Sequence, residues 1–366
     1  MNNNKICVYA IAKNEAKFAE AWYNSMKEAD LVIVLDTGSE DNTVDILCSL
    51  GATVYTKDYD HFRFDVARND SLHLVPEEYN ICVCTDLDER FEPGWADLLR
   101  KHWDDEKHLR ALYPYVHDHL DDGSEGFIFT LDKIHSRKNS YWKFAVHEIL
   151  FVDGYDETKA LYFEDGVRLH HYPDLTKSRA NYINLLRERI EEDPNDSLGI
   201  LQYGMELQNH GMFREAIEAY EEIVYSKYSD FSPIEVAGSF CHLGECYEAI
   251  EDQKKAIANY LAGITEDPLY RESYYCLAKA FMFAGMYDMA IGIALQGLET
   301  SVRRYHWIEG VFTWAWGLYD ILWRCYYQKG EYEKAFAYVA LALQTEPGNP
   351  TLQESYSVCL SMLANN

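Results

Sequence analysis

The stretch ICVCTDLDERF, residues 81–91, ends a short apolar run in Asp86-Leu87-Asp88-Glu89. The run reads as a buried strand, and it finishes by placing three carboxylates within four residues. Charges that close repel and raise one another's pKa, unless a cation or a hydrogen-bonding partner offsets them. A cation with oxygen ligands is one answer. A loop tip with every carboxylate in water is the other, because an isolated Asp-x-Asp is short enough to recur by chance. The rest of the chain has to choose.

Working outward, the run at 80–86 is the fourth of a series. KICVYAIA (5–12), the apolar DLVIVLD (30–36) and TVYTKDY (53–59) read as strands. Between them lie helical periods at 15–29, 41–51 and 64–76, the second with Gly51 just past its end and the third stopped by Pro76. Strand-helix-strand alternation predicts a mostly parallel sheet covered on both faces, with ligands beyond the carboxyl ends of the strands. Lys13-Asn14-Glu15, Asp36-Thr37-Gly38-Ser39 and Asp86-Leu87-Asp88 all follow strand ends, so they share one edge. Residues 126–154 and 160–174 read as antiparallel strands and loops, and 175–195 as a helix bridging to the second half of the chain.

The second half repeats itself instead. Gly211 to Ala216, Glu251 to Ala256, Gly285 to Ala290 and Gly330 to Ala335 share the pattern G/E-x-x-x-x-A. Small residues, Gly204, Gly244 and Ala278, precede three of these anchors, and Trp323 takes that place before the fourth. Tyr247, Phe281 and Tyr326 recur three residues later and read as interhelix packing, with a sugar-binding stripe as the other reading. The pattern resembles the tetratricopeptide repeat, a helix pair of about 34 residues, with insertions in the first and third intervals. The aromatic insertion at 301–318, carrying Arg303 and Arg304, reads either as a contact patch or as a buried extension of a first helix.

The bulk composition narrows the partners. With 33 basic against 61 acidic residues the formal charge is −28, which repels nucleic-acid backbones and anionic lipid. No run is long and apolar enough to span a membrane, and the N-terminus does not read as a signal peptide. The nine scattered cysteines read as reduced, buried small hydrophobes of a cytoplasmic protein.

The motifs AIAKNEA, VLDTGSEDNT, DVARNDSL, CTDLDERF, VHEIL and LHHYPD, in that order, resemble the family 2 glycosyltransferases in the branch fused to tetratricopeptide repeats. The resemblance implies an α/β GT-A domain over residues 1–174, a linker helix at 175–195 and a repeat domain over 196–366. It implies transfer of a sugar from a nucleotide sugar, a UDP-sugar by preference, with inversion at the anomeric carbon and with Mn²⁺ or Mg²⁺ bound. It places nucleotide contacts at Ala12, Asn14, Glu15, Asp36, Gly38, Arg68, Asp86 and Leu87, and metal ligands at Asp88 and His171, the latter matching better than His170. On this reading the carboxylates of the opening stretch tolerate each other because an ion sits between them and the diphosphate.

Each residue has a plainer reading beside that one. Asp-Thr-Gly-Ser is good turn chemistry, and the commoner family form has two aspartates where this chain has Asp36-Thr37. Glu15 favours a helix's first turn for its own sake, and Arg68 suits both a phosphate and a solvated helix face. The acceptor's proton needs a base; His147 and Glu148 are placed at a strand end where only one faces the cleft, and Glu148 is preferred.

Three functions emerge as expectations. The first is transfer to a Ser, Thr or Cys side chain of a peptide or protein, with the repeats cradling the acceptor or pairing two copies into a dimer. The second is transfer to a surface glycan. The third is a scaffold whose sheet domain is catalytically inactive, against which stands the presence of every motif.

Overall fold

The computed structural model describes residues 4–119, 123–174, 181–225, 231–304 and 306–364. The chain divides into two compact units, Met1–Arg189 and Ile190–Asn366.

The first unit runs β1 (Ile6–Ala12), α1 (Ala16–Met26), β2 (Leu31–Asp36), α2 (Thr43–Leu50), β3 (Thr53–Thr56), α3 (Phe64–His73), β4 (Ile81–Cys84), β5 (Glu89–Phe91), α4 (Trp95–His102) and β6 (Arg110–Val116). It continues with β7 (Ile128–Ser136), β8 (Ser140–Lys143), β9 (Ile149–Val152), β10 (Ala160–Tyr162), β11 (Leu169–His171) and α5 (Tyr182–Glu192). Among the described residues the main sheet has the order β3-β2-β1-β4-β7-β6-β11-β5, with β10 also on β6, and β8 pairs with β9 apart from it. The first four strands are parallel, as their sequence alternation with helices requires. β7 then runs antiparallel to both β4 and β6.

The expected wholly antiparallel character of 126–154 and 160–174 needs correction. β10 and β11 both lie parallel to β6, and β11 is antiparallel only to β5. Their partner β6 and the preceding α4 lie in a region whose sequence pattern gave no element.

Period-two alternation covers both faces of the sheet. Ile6, Val8, Ala10 and Ala12 of β1 pack with Phe18, Ala19, Trp22 and Met26 of α1. Cys7 and Tyr9 point the other way, against Leu72, Cys84 and Trp142. The α1 residues fall on one stripe at helical spacing, which is why that face is the buried one. α2 ends at Gly51, whose φ of 110° makes the left-handed cap its position predicted. The nine cysteines are unbridged, and only Cys48 is exposed.

Of the expected bridging helix, residues 175–180 lie outside the described residues. The rest is α5, and its early part belongs to the first unit. Leu185, Leu186 and Arg189 are buried, and Arg189 donates to the carbonyls of Val146 (3.3 Å) and His147 (3.1 Å).

The second unit is helical throughout its described elements: α6 (Ser197–Asn209), α7 (Phe213–Tyr225), α8 (Pro233–Ala249), α9 (Gln253–Glu266), α10 (Arg271–Phe283), α11 (Tyr287–Glu299), α12 (Leu318–Gln328), α13 (Tyr332–Thr345) and α14 (Pro350–Ala364). The four sequence anchors are the turns within the helix pairs. Gly211, Glu251, Gly285 and Gly330 all take left-handed backbone, and Ala216, Ala256, Ala290 and Ala335 are fully buried one helical turn on. The small residues permit close approach: a Cβ on Gly204 would meet Tyr220 Cε1 at 2.8 Å, and one on Gly244 would meet Tyr260 Cδ1 at 2.7 Å. Tyr247, Phe281 and Tyr326 are buried, in keeping with packing. The aromatic insertion folds onto its own unit. Residues Thr313–Gly317 form a π turn leading into α12, and Arg271 stacks over Trp314 at 4.1 Å. No described helix is long and apolar enough to cross a membrane.

Candidate active site

Beyond the carboxyl ends of β1 and β4 lies a cavity of about 930 Å³. The motif loops that the sequence placed on one edge converge on it. Ala12, Asn14, Glu15, Arg68, Asp86, Leu87, Asp88, His147, Glu148 and His171 all line it. Asp36 and Gly38 do not.

Asp36 is buried, and its carboxylate closes its own turn. Oδ1 accepts from the backbone N–H of Gly38 (3.1 Å) and Ser39 (3.0 Å), and Oδ2 accepts from the Ser39 hydroxyl. Gly38 has φ +99°, with Asp58 Oδ1 3.1 Å from where a Cβ would stand, so it serves the turn as well. Thr37, between them, is the residue of this motif that reaches the cavity.

The strand-end carboxylates divide into two kinds. Asp86 accepts from Arg68 Nη2 at 2.8 Å and from Lys133 Nζ at 3.3 Å. Burial would raise its pKa, but these two cations overcome that and hold the carboxyl far below the usual range. Glu89 turns inward, accepting the Asp86 N–H at 2.9 Å with Lys133 Nζ 3.6 Å away. Burial lifts its pKa, and the Asp86 charge adds to the lift against the pull of Lys133. Arg68 and Lys133 thus offset the charge of Asp86, while Glu89 beside it keeps a raised pKa.

Asp88 is the third. Its Oδ2 lies 3.6 Å from His171 Nε2. His171 Nδ1 lies 3.0 Å from the carbonyl of His117, so Nδ1 carries the proton it donates there. That leaves Nε2 to face Asp88. Burial works to lower the His171 pKa, but the hydrogen bond and charge of Asp88 outweigh it and the net shift is upward. His170 points elsewhere, to Glu92 at 3.0 Å.

Arg68 is not a solvated helix residue, nor does it present an open fork. Its side chain is 4% exposed, with Nη1 3.2 Å from Cys84 Sγ, Nη2 on Asp86 and Nε on Glu148. Beneath it, Trp142 Nε1 donates to the Tyr9 hydroxyl at 2.9 Å, and that hydroxyl pairs with buried His135 at 2.8 Å. Burial drops the His135 pKa to about 3, so the ring is neutral.

The expectation that only one of His147 and Glu148 faces the cleft fails. Both line the cavity, because they stand in a bend before β9 and not on a strand. His147 has φ 49°, which breaks the alternation that would have separated them. Its ring meets Tyr182 edge-on at 5.8 Å.

Sequence reasoning passed over Lys133 and Tyr115. Lys133 is a charged residue in mid-strand beside the buried Ile134, a placement that calls for a buried partner. Tyr115 stacks on His171 at 6.0 Å and gave no signal of its own in an aromatic-rich chain.

Against known proteins, residues 7–158 match the model of glycosyl transferase family 2. A thermophilic TPR protein of Thermus thermophilus is similar at 17% identity, over 49% of this chain and 89% of that one, with a TM-score of 0.39. MamA is similar at 21% identity, over 48% of this chain and 96% of that one, with a TM-score of 0.37. The repeat character of the second unit stands on its own turns and helix pairs. The first unit thus holds the stretch that matches the glycosyl transferase family 2 model, and it is followed by a unit of helix pairs with a repeated turn pattern.

Proposed function

We propose that this chain moves a sugar from a nucleotide sugar, a UDP-sugar by preference, onto a Ser, Thr or Cys side chain of a peptide or protein, with inversion at the anomeric carbon. The observation that carries the reading is the Asp88–His171 pair, 3.6 Å apart at the edge where parallel strands present ligands. A carboxylate oxygen and an imidazole nitrogen whose other nitrogen is anchored on a carbonyl form a donor set that fits Mn²⁺, and Mg²⁺ through the carboxylate. When bound, the cation would offset the charge that builds on the departing diphosphate.

The remaining roles belong to the chain's own groups. Ala12, Asn14, Glu15, Thr37 and Leu87 form the wall proposed to hold the nucleoside, with Thr37 taking the place first given to Asp36. Asp86, fixed by Arg68 and Lys133, is proposed to meet the ribose. Arg68 becomes a positioning residue, because each of its three nitrogens already bonds a neighbour: Asp86, Cys84 and Glu148. Glu148 is proposed as the base. It takes the proton of the acceptor hydroxyl or thiol while that atom attacks the anomeric carbon and the bond to the diphosphate oxygen breaks. Arg68 holds Glu148 in place through its Nε–H. A thiol acceptor, with an ordinary pKa near 8.5, asks least of such a base. His147 and Tyr182 wall the acceptor side. The repeat unit is proposed to hold the acceptor polypeptide or to pair two copies, and the protein to work in the cytoplasm.

The test is donor hydrolysis with a panel of UDP- and GDP-sugars and Mn²⁺ or Mg²⁺, beside Asp88→Ala. Metal-dependent release of nucleotide from one donor, absent in the variant, is the expected result. Equal release by both proteins would remove Asp88 from the chemistry.

A further inference from the structure

β11 carries two adjacent histidines, and the pleat sends them to different places. His171 turns to the cavity. His170 meets Glu92, just beyond β5, and Glu125, in the stretch leading to β7. Backbone hydrogen bonding sets the three together: Glu92 N–H donates to the Arg168 carbonyl at 3.1 Å, β5 and β11 pair with His170 opposite Arg90, and His119 bridges Glu125. Three separate segments of the sequence thus deliver one imidazole and two carboxylates to a single spot.

We propose that Glu92, Glu125 and His170 form a second divalent-cation site of the Zn²⁺ class, separate from Asp88 and His171. One ligand atom from each lies within 4.8 Å of the others. His170 Nε2 is 3.0 Å from Glu92 Oε1 and 4.0 Å from Glu125 Oε1. Zinc holds nitrogen and oxygen ligands at about 2.0–2.2 Å, so these atoms need only a small rotation of the two glutamates to share one ion. The glutamate side chains are 44% and 35% exposed, which leaves room for that rotation, while His170 is held at 15%.

The support around His170 is what separates this cluster from a chance meeting of surface charges. Its Nδ1 lies 3.2 Å from His119 Nε2, with the rings stacked at 5.4 Å and 18°. His119 is itself stacked on Tyr172 at 4.7 Å. Nε2 faces the Glu92 carboxylate and so carries a proton that a cation would displace; donation from Nδ1–H to His119 would then hold the ligating tautomer, the usual outer support of a metal-bound imidazole. Arg168 pairs with the far oxygen of Glu125 at 2.6 Å, which orients that carboxylate and leaves Oε1 facing His170. Arg168 offsets one carboxylate, so one negative charge remains to favour a dication. One imidazole with two carboxylates suits zinc and its neighbours better than calcium, which prefers oxygen alone. An ion here would clasp β5, β11 and the His119–Glu125 bridge behind the strand that presents His171.

The test counts bound Zn²⁺ in Asp88→Ala/His171→Ala, which removes the catalytic pair, so the result stands whether or not the proposed activity does. The expected count is one Zn²⁺ per chain by equilibrium dialysis, with Zn²⁺ raising Tm by at least about 2 °C. Adding Glu92→Gln, an exposed change that leaves the fold intact, or His170→Gln should abolish both. His119→Phe keeps the stacking and loses the acceptor, and should weaken affinity by about 10- to 100-fold. A count of zero in the double variant, or a count of one that survives Glu92→Gln and His170→Gln, would show only an ion-paired cluster and overturn the proposal.

Discussion

Arg68 Nη2 lies 2.8 Å from Asp86 Oδ1, and Nε of the same guanidinium bonds Glu148. One buried cation therefore ties the strand-end carboxylate to the candidate base. Removing it leaves two carboxylates facing each other with only Lys133 beside Asp86. Breaking a buried ion pair from one side costs about 3–5 kcal/mol. Arg68→Ala should destabilise the first unit by that amount in urea unfolding followed by the fluorescence of its tryptophans, and Arg68→Lys should recover only part of it.

Asp36 is where the family-derived role and the geometry part. Its oxygens bond Gly38 and Ser39, and it stands outside the cavity. Asp36→Ala should cost about 1.5–3 kcal/mol of stability, as hydrogen bonds to a charged group do. Donor KM should stay within about threefold, since a contact contributing little to binding contributes little to KM. Kinetics and denaturation on the same preparation separate the two effects.

In the repeat unit, the space for a side chain at Gly244 is filled by the Tyr260 ring, 2.7 Å from a built Cβ at its Cδ1. Gly244→Ala should lower stability by about 1–3 kcal/mol through overpacking. Adding Tyr260→Leu should recover part of that loss, and a thermal melt of the single and double variants checks it.

Glu272 gives the repeat unit a pH dependence. Burial pushes its carboxyl up to about 7, although the Gly310 N–H and Thr313 hydroxyl donate to it, and nearby Glu309 adds to the rise. The folded state therefore holds the proton more tightly than the unfolded chain, whose carboxyl titrates near 4.5. Stability from this group is full below pH 4.5 and is lost as pH rises through 7. Glu272→Gln removes the loss, so the variant's Tm should gain on the parent's between about pH 5 and about pH 8. A parallel shift at both pH values would contradict the assignment.

Much of this was legible in the chain, for physical reasons. Apolar alternation fixed the first four strands, and the Gly and Glu anchors fixed the repeat turns, because left-handed backbone and a buried alanine at set spacing leave a pattern. Ten of the twelve named site residues reach one cavity; those on the loops after β1 and β4 do so because parallel strands present their carboxyl ends together. What stayed hidden depended on partners distant in sequence. Asp86 was expected among the nucleotide contacts, and nothing near it in the sequence announces Lys133, which with Arg68 offsets its charge. Strand alternation at His147 was the wrong rule, because nothing in VHE reveals a left-handed residue. β6 was passed over because Pro114 interrupts its run, a residue that sits poorly with an interior strand.

The central claim is that Asp88 and His171 receive a cation that brings in a nucleotide diphosphate. Calorimetric titration of UDP into the protein, with and without Mn²⁺, tests it without knowledge of sugar or acceptor. The expected result is binding that requires Mn²⁺ and weakens at least about tenfold in both Asp88→Asn and His171→Gln. Binding of UDP that is equally strong without metal, or no binding of UDP or GDP under either condition, would contradict the account.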